Sequence, residues 1–220
     1  MAQNSSLCPP LLGEDHMKKE QALEALKIRK LLPLVTIKDM EDVPFLAKVL
    51  PASNLSVIEV AYRSSLASEG IKQLSQVEGL VIGAGTITSL QDAKDAVASG
   101  AHFLVTPGLN LEVLQYAVEQ DILICPGIVT PTDIITAKNM GITTLKFFPA
   151  GNYGGTSTLK ALHGPFGDCE FVPTGGIVKS NYKDYLALPY VAAVGGSFVI
   201  PESYIKAHDF DGLVAYIKEL

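Results

Sequence analysis

The 220-residue sequence predicts an α/β fold, a single (β/α)8 TIM barrel with an extra N-terminal helix. Three observations predict it. Short apolar runs recur about every 20 to 25 residues, each followed by a helical pattern, which marks repeated βα units. Eight such runs can be counted. Glycine and proline cluster just after them, where a barrel carries its active-site loops.

A leading helix is expected over Glu20 to Lys30, then a first strand at Leu32-Pro33-Leu34-Val35. The next strands are Val57-Ile58-Glu59-Val60, Leu80-Val81-Ile82-Gly83 and Phe103-Leu104-Val105. Ile122-Leu123-Ile124-Cys125, Thr144-Leu145-Lys146-Phe147, Glu170-Phe171-Val172 and Val191-Ala192-Ala193-Val194 complete the set. Helices are expected over Ser89 to Ser99 and Asn110 to Glu119. Thr130-Pro131-Thr132-Asp133 starts another, with a capping hydroxyl followed by proline at the first helical position. The barrel should occupy residues 17–220, with Met17-Lys18-Lys19 reading as a native start. Residues 1–16 hold two prolines, a glycine and several polar side chains, and read as a flexible leader.

Composition excludes several function classes. Hydrophobic residues make up 48% of the chain, enough for a sizeable core, and charged residues only 18%. The net charge of -6 comes with no basic block, so nucleic acid is not an expected partner. Cys8, Cys125 and Cys169 are widely spaced, and His16, His102, His163 and His208 show no metal-binding pattern. No metal site and no disulfide framework are therefore expected. No apolar stretch reaches transmembrane length, and the first residues lack the layout of a secretory signal. The expected location is cytoplasmic, with no membrane partner.

Two charges interrupt this apolar pattern. Lys146 sits inside Thr143-Thr144-Leu145-Lys146-Phe147-Phe148-Pro149, the sixth strand. A buried ammonium is costly unless paired, and burial favours the neutral amine, the form that attacks carbonyls to give a Schiff base. A lysine at a strand end also snorkels, with its stem buried and its head in water. Glu59 interrupts the second strand, on the same face as Val57 and opposite Ile58 and Val60. It reads either as a structural ion-pair partner of Lys146 or as a proton shuttle beside it. Arg63 follows just past the strand end, where a forked cation suits a carboxylate. Thr174-Gly175-Gly176 after the seventh strand and Gly195-Gly196-Ser197 after the eighth read as a phosphate cup, built from backbone amides and a helix N-terminus. His102 and His163 read as structural.

The motifs Glu59-x-x-x-Arg63, Gly83-Ala84-Gly85-Thr86, Thr106-Pro107-Gly108-Leu109, Pro126-Gly127, Lys146-Phe147-Phe148-Pro149-Ala150, Gly164-Pro165-Phe166 and Pro173-Thr174-Gly175-Gly176-Ile177 closely resemble those of the KDPG/KHG aldolases. The resemblance runs from about Lys18 to the C-terminus. That family uses class I, Schiff-base chemistry on 2-keto-3-deoxy-6-phosphogluconate and 4-hydroxy-2-oxoglutarate. It implies Lys146 as the Schiff-base lysine and Glu59 as the general acid/base. Arg63 and Thr86 would bind the pyruvate carboxylate, with Pro107 and Phe148 lining that pocket. Gly175, Gly176, Gly196 and Ser197 would take the phosphate. The resemblance also implies a homotrimer with no metal or other cofactor. The chain departs from the family at Ala61, where a threonine is usual, at Tyr62, and at Gly151-Asn152-Tyr153. A phosphate-binding isomerase or epimerase using Glu59 without a covalent intermediate is one rival reading. A catalytically silent oligomeric scaffold is the other.

Overall fold

A computed structural model describes residues 17–220. The expected leader lies outside the described residues. The chain alternates helices and strands. It opens with α1 (Lys19–Arg29), β1 (Leu31–Val35), α2 (Asp42–Ala52), β2 (Val57–Ala61), α3 (Ala67–Leu74) and β3 (Val81–Gly85). It continues through α4 (Leu90–Ala98), β4 (Phe103–Val105), α5 (Leu111–Glu119), β5 (Leu123–Cys125), β6 (Gly127–Ile128) and α6 (Pro131–Asn139). The last part comprises β7 (Thr144–Phe147), α7 (Gly155–His163), β8 (Glu170–Phe171), α8 (Tyr182–Leu186), β9 (Val194–Gly196), α9 (Glu202–Ala207) and α10 (Phe210–Lys218). All strand pairs are parallel. Six strands run in the order β5-β4-β3-β2-β1-β9, and three more in the order β6-β7-β8. The result is an α/β fold on parallel sheet.

Strand alternation sorts the apolar side chains into two layers. Ile58, Val60, Ile82, Leu104, Ile124, Leu145 and Phe147 pack with helix residues such as Leu46, Leu50, Ile71 and Leu159. The opposite face collects Val57, Val81, Phe103, Val105, Leu123 and Cys125. Both faces are covered, which is why the strands read as nearly unbroken apolar runs. The second layer is roofed by α1, whose Ala22, Ala25 and Leu26 join it. Spacing of three and four residues puts these on one helix face. Gln21 accepts a hydrogen bond from the Lys18 amide at the start of α1, and Lys30 ends it in a left-handed conformation at φ 55. Elsewhere the cap residue itself is the acceptor: Ser89, Asn110 and Thr130 each accept an amide of the helix they precede.

Three strand expectations shift. The fifth strand divides at Pro126, which has no amide hydrogen to donate. The part before it, β5, pairs with β4, and the part after it, β6, pairs with β7. The eighth strand moves from Val191–Val194 to Val194–Gly196, because its ladder with β1 begins only where the Val194 amide donates to the Lys30 carbonyl at 2.8 Å. Val191 keeps an isolated bridge to Phe171. Gly85 lies within β3, and Gly195 and Gly196 within β9, rather than just after those strands. His102 serves the ladder, its Nδ1 accepting the Ile82 amide at 2.9 Å while its own amide donates to the Ile82 carbonyl at 2.7 Å. His163 stacks on Tyr190 with ring centroids 3.7 Å apart.

Leu26 is fully buried between α1 and the strands. Leu26→Ala should lower the free energy of unfolding by about 2–5 kcal/mol, read from urea denaturation. A loss below that range would mean that α1 is not part of the packed core.

Candidate active site

Glu59 on β2 and Lys146 on β7 share the strand face covered by α1. Lys146 Nζ lies 3.6 Å from Glu59 Oε1, with the two side chains only 6% and 1% exposed. Two charges taken out of water at this depth are tolerable only together, since either alone would stand uncompensated. The separation is an ion-pair distance, longer than a hydrogen bond. Neither carboxylate oxygen of Glu59 accepts a hydrogen bond from the described residues. A buried carboxylate with free lone pairs, beside an amine, is a site set up to exchange protons with a third group.

Neighbours define the space around the pair. A Cβ added at Gly85 would fall 2.0 Å from Glu59 Oε1 and 2.6 Å from its Cγ, so the glycine in β3 is what gives the carboxylate room. The Phe148 ring centroid lies 5.0 Å from Lys146 Nζ, within cation–π range. Cys125 lies on the same face. Burial pushes its thiol up to about 12, the Glu59 carboxylate adds to the rise, and Lys146 opposes it. Cys125 is therefore a neutral thiol at ordinary pH.

The C-terminal strand ends carry the remaining candidates. Arg63 stands just past β2, exposed, its guanidinium in no ion pair or hydrogen bond with the described residues. Thr86 follows β3 directly with φ 59, a left-handed conformation that is strained for a β-branched residue. The two residues after it are tied down: the Ile87 amide donates to the Val105 carbonyl at 3.1 Å, and Asn110 Nδ2 to the Thr88 carbonyl at 3.0 Å. Pro107 follows β4 and Phe148 follows β7, both half-buried. Arg63 and Thr86 make no hydrogen bond or ion pair with Lys146 or Glu59.

Gly175 and Gly176 both take positive φ, 89° and 73°, which suits glycine alone without strain. The turn is stitched to the chain after β7, where the Ala150 amide donates to the Thr174 carbonyl at 2.8 Å and the Gly151 amide to the Gly175 carbonyl at 2.9 Å. A Cβ on Gly176 would come 3.1 Å from the Gly151 Cα, so Gly151 meets this turn back to back. The amides of Gly175, Gly176 and Ser197 donate to no acceptor among the described residues. The expected helix N-terminus is not part of this cup. The following helices, α8 and α9, are only five and six residues long and begin at Tyr182 and Glu202, well past the glycines. Gly196 itself is buried in β9, opposite Pro33, and Ser197 is the exposed position.

The departures from the family pattern have defined surroundings. Ala61 is fully buried at the end of β2. Tyr62 turns away from the pair, its hydroxyl 2.8 Å from Ser68 Oγ on α3. Two residues near the site carried no assigned role from the sequence. Cys125 is legible by alternation with Leu123, but nothing in its type announces a site. Thr106 lay within a quoted motif, yet only the structure shows its hydroxyl fully buried and bonded to Gly108 and Gly127. No group of three or more His, Cys, Asp or Glu that could hold a metal occurs among the described residues.

Gly85→Ala should lower stability by about 1–3 kcal/mol, because a methyl group is forced onto a buried carboxylate with little space to retreat. Urea unfolding of the variant measures it, and unchanged stability would show that Glu59 moves aside freely.

The chain matches known proteins over most of its length. The family model for KDPG and KHG aldolase matches residues 23–216. The 2-dehydro-3-deoxy-phosphogluconate aldolase of Dickeya dadantii (strain 3937) is 38% identical over 202 residues, spanning 91% of this chain and 95% of that protein. The KHG/KDPG aldolase of Escherichia coli (strain K12) is 35% identical over 202 residues, with the same two coverages of 91% and 95%. Among solved structures, a KDPG aldolase from Legionella pneumophila, with pyruvate captured at low pH as a covalent carbinolamine intermediate, superposes with a TM-score of 0.86. It is 36% identical and covers 90% of this chain and 97% of its own. On these matches, which span nearly all the described strands and helices, the chain belongs to the KDPG and KHG aldolase family.

Proposed function

We propose that this protein is a class I aldolase that cleaves 2-keto-3-deoxy-6-phosphogluconate to pyruvate and glyceraldehyde 3-phosphate. 4-Hydroxy-2-oxoglutarate, giving pyruvate and glyoxylate, is a second substrate of the same chemistry. The observation that carries the reading is the buried Lys146–Glu59 pair, 3.6 Å apart, with both Glu59 oxygens free of protein donors. An isomerase needs the carboxylate alone and leaves the buried lysine without a task.

Lys146 passes a proton to Glu59, its neutral amine attacks the C2 ketone, and the carbinolamine hydroxyl takes that proton back and leaves as water to give an iminium. Glu59 takes the proton of the C4 hydroxyl. The C3–C4 bond breaks, its electron pair passes into the iminium to form an enamine, and C4 leaves as the aldehyde. Glu59 returns the proton to C3, and water hydrolyses the resulting imine to pyruvate and free lysine. Arg63 and Thr86 hold the C1 carboxylate, so the ketone meets the amine in one orientation. Pro107 and Phe148 wall the pyruvate end. Gly175, Gly176, Gly196 and Ser197 receive the phosphate, the free amides of Gly175, Gly176 and Ser197 supplying donors. Binding energy from that distant end serves positioning at the reacting carbon.

The architecture of this reading is one eight-stranded barrel over residues 17–220. Several contacts support closure. β5 and β6 flank Pro126 as halves of one strand, and isolated bridges link Phe171 to Val191 and Thr174 to Gly195. The Thr174 amide donates to the Phe147 carbonyl and the Gly195 amide to the Pro173 carbonyl, each at 2.9 Å. We assign the cytoplasm as its location, a reducing compartment that suits the free, buried Cys125 and Cys169. No helix among the described residues is long and apolar enough to cross a membrane. The family resemblance supports a homotrimer, so light scattering on the purified protein should give about three times the 23.4 kDa chain mass. A monomer mass would remove that assembly.

Borohydride reduction in the presence of pyruvate tests the chemistry. The expected product is one reduced pyruvate adduct, confined by peptide mass spectrometry to the Lys146 peptide and absent from Lys146→Ala. A folded wild-type protein that yields no adduct would overturn the aldolase reading.

A further inference from the structure

We propose that Thr106 is a positioning residue for the pyruvate pocket, acting through the Pro107-Gly108 turn. The inference rests on the aldolase reading. Thr106 ends the run of β4 and is fully buried. A hydroxyl at such depth costs free energy unless both its donor and its acceptor capacity are used. Here Thr106 Oγ1 donates to the Gly108 carbonyl at 2.6 Å, closing the turn around Pro107. The same oxygen accepts the Gly127 amide at 3.4 Å, from a strand that is not its neighbour in sequence. Its own amide donates to the Cys125 carbonyl at 3.3 Å.

Gly127 gives this cluster its meaning. It is the register partner of Lys146 across the β6–β7 ladder, and the Lys146 amide donates to the Pro126 carbonyl at 2.9 Å. A Cβ on Gly127 would fall 2.2 Å from the Pro107 carbonyl oxygen, so the Pro107 turn rests directly on that strand. One hydroxyl therefore fixes the shape of the turn and ties it to the strand beside the reactive lysine. Without it, the turn keeps its proline but loses its registration against Lys146. Pyruvate would then meet the amine over a wider range of positions, and misplacements of about 1 Å at a reacting centre are costly. Because the pyruvate portion is bound in both ground and transition states, the loss appears chiefly in apparent affinity.

Thr106→Val keeps the shape and removes the hydroxyl, whereas Thr106→Ser keeps the hydroxyl. The wild-type protein is first shown to trap pyruvate at Lys146, which tests the aldolase reading separately. The pyruvate concentration giving half-maximal borohydride trapping should then rise roughly three- to tenfold in Thr106→Val, the worth of one neutral hydrogen bond. Trapping at saturating pyruvate should stay near wild type, and Thr106→Ser should restore the half-maximal concentration. A purely structural hydroxyl would lower the melting temperature and the trappable fraction without moving that concentration, and that result would overturn the proposal. So would a serine variant as impaired as the valine one. If Thr106→Val does not fold, Thr106→Cys, similar in volume and weaker in hydrogen bonding, is measured against the same two outcomes.

Discussion

Everything at the centre of this protein answers to one constraint, that an ammonium and a carboxylate share a space with little contact with bulk water. In such surroundings the attraction between Lys146 and Glu59 is strong, but so is the desolvation cost of each charge. The arrangement survives because small residues make way for it. Gly85 leaves the volume that the Glu59 carboxylate fills, and Lys146 arrives from β7 in the other parallel sheet. Packing for stability alone would place apolar side chains at both positions. The incomplete hydrogen bonding of Glu59 is a cost the fold accepts in exchange for a carboxylate free to act.

The two apolar layers divide the remaining work. The layer beneath α2 to α10 holds most of the large side chains and carries the bulk of the burial. The layer beneath α1 is smaller and ends at the reactive pair, so it is both a floor for the site and a seal against solvent. Loops at the C-terminal strand ends are left to vary in chemistry above this scaffold, with Arg63, Thr86, Pro107 and the glycine turn each supplied by a different strand. Hydrogen bonds between loops, such as Asn110 to the Thr88 carbonyl and Gly151 to the Gly175 carbonyl, stop that rim from behaving as independent segments.

Much of this was legible in the sequence because charge inside apolar strands is rare. Lys146 and Glu59 stood out as single violations of a regular pattern, and alternation alone put Glu59 on the Val57 face. Other features depended on pairing, which a sequence does not display. The split at Pro126 follows from a missing donor whose partner strands cannot be named in advance. The glycines at 85, 195 and 196 read as turn residues, since a strand glycine that makes space for a side chain on a neighbouring strand has the same local signature. Thr106 illustrates the limit: its motif was visible, but its role lies in an oxygen shared between segments 21 residues apart. The Gly151 departure became intelligible only once Gly176 was seen behind it.

Cys125 sits close enough to the reactive pair to feel both charges, yet its thiol is held near 12. The thiolate is the form that attacks peroxides and disulfides, and at neutral pH it is almost absent here. A sulfur atom at the heart of the molecule is thereby kept out of the traffic in oxidants that inactivates many thiol-bearing centres. The burial that makes Lys146 and Glu59 depend on each other also leaves the thiol beside them unionised. Cys125 is thereby a poor target for oxidants despite its place beside Glu59 and Lys146.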